Sequence, residues 1–418
     1  MKHFTKAMLA GVAVFASVSL SQAAGHSVDC GIESGRINIL GNEFPAIQTV
    51  VAGAEACSND NVSFESNLTK EHRDLQVPAL TANPAEYTAA IVANSSIVPL
   101  LNGGLIRPLD DLVEKYGEGL KKNQLITIDG KVMAVAFMAN AQHIMYRSDV
   151  LDEAGVEVPT TYEEVVEAAK VIKEKGLMEY PLSGTFQTGW NLGEEFVNMY
   201  MGTGAPMFEP GTANVSINNE NGVKALNMMK ELTSYMNPDF LTYDSNAASA
   251  EWEAGNVAIM NMWGSRAGPL TDDEGSTEAI TSTTMMAAAP TLGAGEVPAT
   301  TLWWDGFTIA ANISDEDAEA TFRAFMNGIK PGSLTDETTT QAVWLIDGYE
   351  PSPTAAGVFA TASAGAKPYP MLPFGGLLHT AAGAELSDFL QGNETAEQAL
   401  ADIEAAYTTA AKEKGFLQ

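Results

Sequence analysis

Positively charged residues are scarce in this chain. It carries 22 Lys and Arg against 53 Asp and Glu in 418 residues, which gives a formal net charge of −31 at pH 7. Such a surface repels the phosphates of nucleic acids and anionic lipid headgroups, so we expect neither as a partner. An acidic chain can be disordered, but 45% of these residues are hydrophobic and they recur with regular spacing. The composition therefore predicts a folded, acidic protein.

Cysteine and histidine are also rare, with 2 Cys and 5 His in the whole chain. A structural zinc site needs four such ligands close together, which this composition disfavours. The sequence lacks a Gly-x-Ser-x-Gly elbow, a Ser-x-x-Lys pair and a His-Glu-x-x-His helix. The sequence therefore contains no recognisable residue pattern for nucleophilic or metal-assisted catalysis. We therefore predict no metal, no cofactor and no enzymatic activity.

Long hydrophobic runs are missing as well. The most apolar segment, Ala7–Leu20, falls short of the ~20 residues that a transmembrane helix needs. Lys2 and Lys6 precede it and the small residues of Ser21–Ala24 follow, a pattern typical of a cleaved signal peptide. We predict that residues 1–24 are a signal peptide, cut near residue 23 or 24, which leaves about 394 exported residues. That length favours two domains over a single core.

The two cysteines, Cys30 and Cys57, both lie near the start of the predicted exported chain. In an exported protein such a pair predicts a disulfide bond, which would tie the N-terminus to the end of the first helix. Two buried free thiols are the alternative that the sequence leaves open.

Strand-like and helix-like segments alternate along the chain. Polar and apolar residues alternate in Arg36–Leu40, which lies between two glycines, as they do in a strand. Pro45–Cys57 places its apolar residues on one helical face. Gly130–Phe137 and Leu302–Ala311 predict further strands. This alternation predicts an α/β fold with a parallel sheet and crossover helices.

The most informative stretch is Tyr146–Gly176, where an aromatic-led segment, a Pro-Thr-Thr loop and an amphipathic helix follow one another. Thr160 with Glu163, or Thr161 with Glu164, matches a capping box at the start of that helix.

Several blocks together resemble the carbohydrate-type periplasmic solute-binding proteins, the class that includes maltose-binding protein. The blocks occur in the family's order and are Asn83–Leu112, Tyr146–Gly176, Trp252–Trp263, Asp305–Ala311 with the capped helix at Ser314, and Gly392–Ala406.

This resemblance implies a two-lobed α/β fold, with each lobe a mostly parallel sheet flanked by helices and a hinge between the lobes. It implies a first lobe of about residues 25–139 plus 306–350 and a second of 140–305 plus 351–418. It further implies a monomeric periplasmic receptor that binds a mono- or oligosaccharide in the interlobe cleft. Such a receptor delivers its sugar to the membrane permease of an ABC importer.

A sugar presents hydroxyl groups and apolar C–H faces, so its sites combine polar side chains with aromatic rings. The predicted strand ends and neighbouring loops offer such residues. The candidate ligand-binding residues are Asn42, Glu43, Trp190, Trp263, Trp304, Asp305 and Phe374, to which the resemblance adds Asn94, Ser95 and Gln142. Helix capping or core packing is the alternative role for each of them.

The adjacent tryptophans Trp303 and Trp304 and the polar segment His72–Asp74 lie among these candidates. Adjacent residues of a strand point to opposite faces, so at most one of Trp303 and Trp304 faces the ligand; Trp304 is the candidate, and the sequence leaves open which of the two it is. The polar cluster His72–Asp74 favours a solvated turn over a ligand contact.

Two other functions stay open at this point. A polyamine receptor of the same fold would also use carboxylates and aromatic rings. A secreted glycoside hydrolase would need two carboxylates flanking the scissile bond, and 53 acidic residues could supply such a pair.

Overall fold

The computed structural model describes residues 28–418, so the predicted signal peptide lies outside the described residues. Its strands are β1 (Gly35–Gly41), β2 (Val62–Leu68), β3 (Ala89–Ala93), β4 (Leu125–Ile128), β5 (Lys131–Arg147), β6 (Leu182–Ser183), β7 (Ile259–Trp263), β8 (Thr284–Ala287), β9 (Thr301–Ile309), β10 (Val343–Trp344) and β11 (Lys367–Pro368).

Its α-helices are α1 (Pro45–Glu55), α2 (His72–Thr81), α3 (Ile97–Asn102), α4 (Asp110–Tyr116), α5 (Ser148–Ala154), α6 (Tyr162–Glu174), α7 (Trp190–Met201), α8 (Glu220–Thr233), α9 (Ser245–Glu253), α10 (Glu278–Thr281), α11 (Asp315–Gly328), α12 (Asp336–Thr339), α13 (Ala356–Ser363), α14 (Gly375–Gln391) and α15 (Ala396–Glu413).

The strands follow one another in space in the order β2-β1-β3-β9-β5-β7-β6. β1 pairs in parallel with β2 and β3, whereas β3–β9, β9–β5 and β5–β7 are antiparallel pairs. The sheet is therefore mixed. The resemblance implied a mostly parallel sheet in the second lobe, and this prediction is wrong. The central strand of that lobe, β5, runs antiparallel to both β7 and β8.

Two strands connect the halves of the molecule. The 17 residues of β5 pair with β9 through Ala141 and with β7 from Gln142 onward. β9 returns the chain from the second lobe to the first. Because it lies beside β5, which runs the other way, the two strands are antiparallel. The predicted strand at Gly130–Phe137 is confirmed, but it continues without a break through the expected hinge.

Each half buries its own apolar core, as a two-lobed fold requires. Ile37, Ile47 and Phe325 belong to the core of the first lobe, and Phe196 and Ile403 to that of the second. The two-lobed α/β fold is thus confirmed. The exact lobe boundaries stay a prediction.

Helix caps fix where several helices begin. Thr161, and not Thr160, is the N-cap of α6: its hydroxyl accepts from the Glu164 amide at 3.1 Å. The competing Glu163 instead accepts from the Gly293 amide at 2.8 Å. A capping hydroxyl satisfies an amide that the first helical turn leaves unpaired, which is why the Thr-x-x-Glu pattern located this helix correctly.

The predicted disulfide bond is present between Cys30 and Cys57, just after the end of α1. Cys57 is buried in the first-lobe core. The bond therefore holds the segment before β1 against α1, and the backbone amide of Val28 donates to the carbonyl of Ala56 nearby at 2.9 Å.

Removing this bond should destabilise the protein through its unfolded state. The cysteines are 27 residues apart. Closing a loop of that size is worth about 3–4 kcal/mol in the chain-entropy account, so Cys30→Ala/Cys57→Ala should lower the free energy of unfolding by that amount. Urea unfolding measures this loss. Wild type in reductant is the control and should lose a similar amount, whereas equal stability of all three samples would contradict the account.

Candidate ligand-binding cleft

A cavity of about 200 Å³ lies between the two lobes, beside the strands that connect them. β1, β3 and β7 all end at it, since Asn42, Ala93 and Trp263 contribute to its wall. Ligands of open α/β sheets bind at this position, outside the carboxyl ends of strands. The lining residues are Asn42, Glu43, Phe44, Lys70, Arg73, Ala93, Asn140, Gln187, Trp190, Asn191, Asp244, Ser245, Asn246, Trp263, Ser265, Arg266, Trp303 and Asp305.

Three tryptophans from different elements meet at one wall of the cavity. Trp190 begins α7, Trp263 ends β7 and Trp303 lies in β9. The ring centre of Trp303 lies 5.7 Å from that of Trp190 and 5.7 Å from that of Trp263, both edge to face. Trp190 and Trp263 are more nearly parallel, with centres 6.3 Å apart. Such packing gives a rigid apolar surface beside the polar groups of the cleft.

Arg73 reaches this aromatic wall from the first lobe. Its guanidinium carbon lies 3.9 Å from the ring centre of Trp190, a cation–π contact between the lobes. Its Nε is buried and has no hydrogen-bond acceptor among residues 28–418. Burial lowers the pKa of Arg73, and the nearby Asp305 counteracts this shift. Arg73 is therefore a cleft cation with an unused donor.

Asp305 supplies an unused acceptor close to that donor. It lies in β9, paired with Ala93 of β3 and Met138 of β5, where both lobes meet. Within the described part of the chain, no hydrogen bond to its carboxylate forms. Protein atoms surround it except on the cavity side, and this burial raises its pKa to about 7, while Arg73 acts in the opposite direction.

A buried carboxyl group supports the aromatic wall from behind. Glu194 of α7 accepts hydrogen bonds from Trp303 Nε1 at 3.1 Å and from Thr301 Oγ1 at 2.9 Å. Burial raises the pKa of Glu194 well above its ordinary value. Through its hydrogen bond, Glu194 fixes the orientation of Trp303.

Trp190 is held by a second buried contact. His379 Nε2 lies 2.8 Å from the Trp190 carbonyl and its Nδ1 lies 2.9 Å from the Tyr369 hydroxyl. Burial lowers the pKa of His379 to about 4, so the imidazole is neutral. The His379 and Trp190 rings also stack, with centres 5.0 Å apart.

Charged residues join the lobes at the edge of the cavity. Lys70 Nζ of the first lobe lies 2.6 Å from Asp244 Oδ2 of the second. Asp244 is also the N-cap of α9. The Arg266 guanidinium lies 5.8 Å from the ring centre of Phe44, again from one lobe to the other. The structure therefore shows the cleft in a closed arrangement.

Five of the ten predicted ligand-binding residues line this cavity, namely Asn42, Glu43, Trp190, Trp263 and Asp305. Asn42 Oδ1 also accepts from the Glu43 amide at 2.8 Å, so Asn42 orders the loop before α1. Their contact with a ligand stays a prediction.

Trp304, Asn94 and Ser95 do not line the cavity, which corrects their predicted placement. Trp304 points to the face of β9 opposite Trp303 and packs against the first-lobe core. Its backbone amide donates to Asn94 Oδ1 at 2.9 Å, so Asn94 connects the end of β3 to β9. The Ser95 hydroxyl is buried next to it and has no partner among the described residues.

Gln142 lies inside the second lobe and does not reach the cavity. It is 0% exposed. Its amide nitrogen donates to Thr185 and Glu195, both at 2.8 Å, and its amide oxygen accepts from Asn198 at 2.7 Å. Gln142 thus satisfies polar groups inside the lobe and is not part of the cleft lining.

Phe374 is also placed away from the cleft. It lines an open groove of about 840 Å³ on the second lobe, together with Phe416 and the C-terminal residues. Its ring centre lies 4.9 Å from that of Phe208, so it packs against the core of the second lobe.

Sequence reasoning missed two central residues of the cleft. His72–Asp74 is not a solvated turn but the first turn of α2, with His72 buried and Arg73 in the cavity wall. Trp303, and not Trp304, lines the cavity. The alternation of β9 allowed either tryptophan, and the capping residue that would have marked the start of α2 is absent, since Glu71 makes no capping side-chain bond.

The cleft offers hydrogen-bonding and apolar groups to an organic ligand. In residues 28–418, no group of three or more His, Cys, Asp or Glu side chains is arranged to hold a metal ion.

The two lobes, the strands that cross between them and the cavity at that crossing define a periplasmic-binding-protein fold. The sequence profile of the bacterial extracellular solute-binding protein family matches residues 41–328. The chain therefore belongs to this family.

Solved structures share the fold at low sequence identity. A solute-binding protein of an ABC transporter from Agrobacterium radiobacter, in complex with ribitol, is 18% identical with a TM-score of 0.77, and the alignment covers 91% of this chain and 99% of that one. MalE3 of T. maritima with bound maltose is also 18% identical, with a TM-score of 0.74 and coverage of 90% and 100%.

One curated relative shares a shorter region. The polygalacturonan/rhamnogalacturonan-binding protein YtcQ of Bacillus subtilis is 27% identical over 144 residues, which is 32% of this chain and 29% of that protein. This match spans less than a third of the relative's length. Over the part of the chain that the structure describes, no helix has the length and apolar character needed to cross a membrane.

Replacing Trp303 should weaken solute binding more than replacing its neighbour. Trp303→Phe removes part of the aromatic wall and the hydrogen bond to Glu194, and should raise the Kd about tenfold, equivalent to ~1.4 kcal/mol. Trp304→Phe is the matched control and should leave the Kd within about twofold, because that ring faces the first-lobe core. Calorimetric titration with a stabilising solute measures both, and a larger loss for Trp304→Phe would contradict this assignment.

The pKa of Asp305 should make the stability of the unliganded protein depend on pH. In the unfolded chain this group ionises near pH 4, whereas burial raises its folded pKa to about 7. The folded state therefore retains a proton that the unfolded state loses, and this contribution to stability disappears as pH rises through that range.

Asp305→Asn removes this titration. Its free energy of unfolding relative to wild type should rise between about pH 4 and pH 7 and stay level above that. Urea unfolding across this range tests it, and other titrating groups cancel in the difference between the two proteins. A difference that is independent of pH would show that Asp305 titrates normally.

Proposed function

We propose that this protein is a periplasmic receptor that binds a sugar in its interlobe cleft and delivers it to the permease of an ABC importer. The observation that carries the proposal is the pairing, in one cavity, of an aromatic wall with an unused donor at Arg73 and an unused acceptor at Asp305. A sugar hydroxyl can both accept from Arg73 and donate to Asp305, while its C–H faces pack on a ring.

Closure of the lobes would complete the site. Arg73 belongs to the first lobe and Trp190 to the second, so a solute that touches both stabilises the closed arrangement. We propose lobes of about residues 25–139 plus 306–350 and 140–305 plus 351–418, a monomeric chain, and export after removal of residues 1–24. The relatives support the class of solute: the Agrobacterium protein holds ribitol, the T. maritima protein holds maltose, and YtcQ is named for binding polygalacturonan and rhamnogalacturonan.

The hydrolase alternative is less well supported by the cleft. Asp244, one of three carboxylates at the cavity, is paired with Lys70 and caps α9. Glu194 lies behind Trp303, outside the lining. Glu43 and Asp305 are the lining carboxyl groups left to form the acid and base pair that a glycosidase needs, and the family to which the chain belongs is one of binding proteins.

A thermal-shift screen tests the proposed function. The panel contains monosaccharides, alditols, oligosaccharides and polyamines, each added to the purified exported chain. A ligand at 100 times its Kd stabilises the folded state by about 2.7 kcal/mol, so a cognate sugar should raise the Tm by roughly 3 °C. Asp305→Asn should shrink that rise, whereas Trp304→Phe should keep it.

The same screen has two outcomes against the proposal. A Tm rise with polyamines alone would make the protein a receptor of another solute class. Products released from an added oligosaccharide, detected by chromatography, would make it an enzyme.

A further inference from the structure

The size of the closed cavity limits what it can hold. Its volume is about 200 Å³. Pockets for drug-sized ligands, a class that includes disaccharides by mass, measure about 300–1,000 Å³. The cavity is therefore matched to one sugar ring.

Contacts between the lobes stop the cavity from extending into a longer groove. The Lys70–Asp244 pair, with 2.6 Å between the charged atoms, closes one side, and Arg266 meets Phe44 across the same gap. Both contacts involve residues of the cavity lining, so a second sugar unit would have to displace them.

The arrangement of the aromatic rings points the same way. A chain of sugars needs rings spread along a groove, one for each unit. Here the three tryptophans form one cluster with centres 5.7–6.3 Å apart. Arg73 already covers one face of Trp190 at 3.9 Å. The rings are therefore gathered at one place and are not spread along a groove.

The charges around the cavity balance. Three cationic and three acidic side chains line it, namely Lys70, Arg73, Arg266, Glu43, Asp244 and Asp305. Asp244 and Lys70 neutralise each other directly. When Asp305 is ionised, a uronate would leave its carboxylate without a surplus cation, and a polyamine would leave its ammonium groups without surplus carboxylates, so both would be desolvated at a cost.

Resting on the proposed function, we infer that the cleft takes one uncharged sugar ring, or an alditol of similar size, between Arg73, Asp305 and the tryptophan cluster. A neutral polyol fits this setting because one of its hydroxyl groups can accept a hydrogen bond from Arg73 and donate one to Asp305.

Calorimetric titration of the exported chain with matched ligand sets tests this inference. The first set pairs pentoses, hexoses, pentitols and hexitols with di- and trisaccharides built from the same sugars. The second set pairs each hexose with its hexuronate and adds spermidine. We expect a monosaccharide or alditol to bind more than about a hundredfold tighter than its disaccharide and its uronate.

The outcomes separate this inference from the proposed function. Tighter binding of a di- or trisaccharide than of its single unit would overturn the size limit and leave the sugar receptor intact. Tighter binding of a hexuronate would overturn the charge limit in the same way. If no carbohydrate of any size binds, the proposed function fails, and this inference with it.

Discussion

The antiparallel pairing of β5 with β9 is the constraint on which the cleft depends. Both strands run from one lobe to the other, and their register places Asn140 opposite Trp303 and Met138 opposite Asp305. A slip of one residue would exchange the faces of Trp303 and Trp304 and remove the aromatic wall. The strands also approach closely at Gly306, where an added Cβ would lie 2.5 Å from the Val135 carbonyl oxygen. The backbone of the crossing therefore determines which side chains a solute meets.

Electrostatics inside the cleft differ from those of the whole chain. The net charge is −31, yet the cavity lining is balanced. The Lys70–Asp244 pair joins the lobes, but the Lys70 side chain is 51% exposed, and an ion pair of this kind contributes only about 0–1 kcal/mol. This pair alone contributes little to the free energy that holds the lobes together. A solute that touches both lobes would therefore add to the stability of the closed arrangement, as a receptor requires.

Much of the fold follows from local patterns, and less of the site does. The Thr-x-x-Glu pattern predicted the start of α6. An apolar strand that ends in an aromatic residue predicted the position of Trp263, which lies in the cavity wall. Trp303 could not be chosen over Trp304 from alternation alone, because the pairing of β9 with β3 and β5 sets the direction of each ring. The role of Arg73 could not be predicted for a similar reason. α2 begins without a capping side chain, and only the packing of two distant segments brings Arg73 onto Trp190.

The central claim is that the lobes close around a solute that touches both of them. Small-angle X-ray scattering of the exported chain, with and without the most stabilising solute, tests this most directly. The account predicts a smaller radius of gyration with the solute, because the unliganded lobes open about the β5–β9 crossing. An unchanged radius of gyration at saturating solute would contradict it.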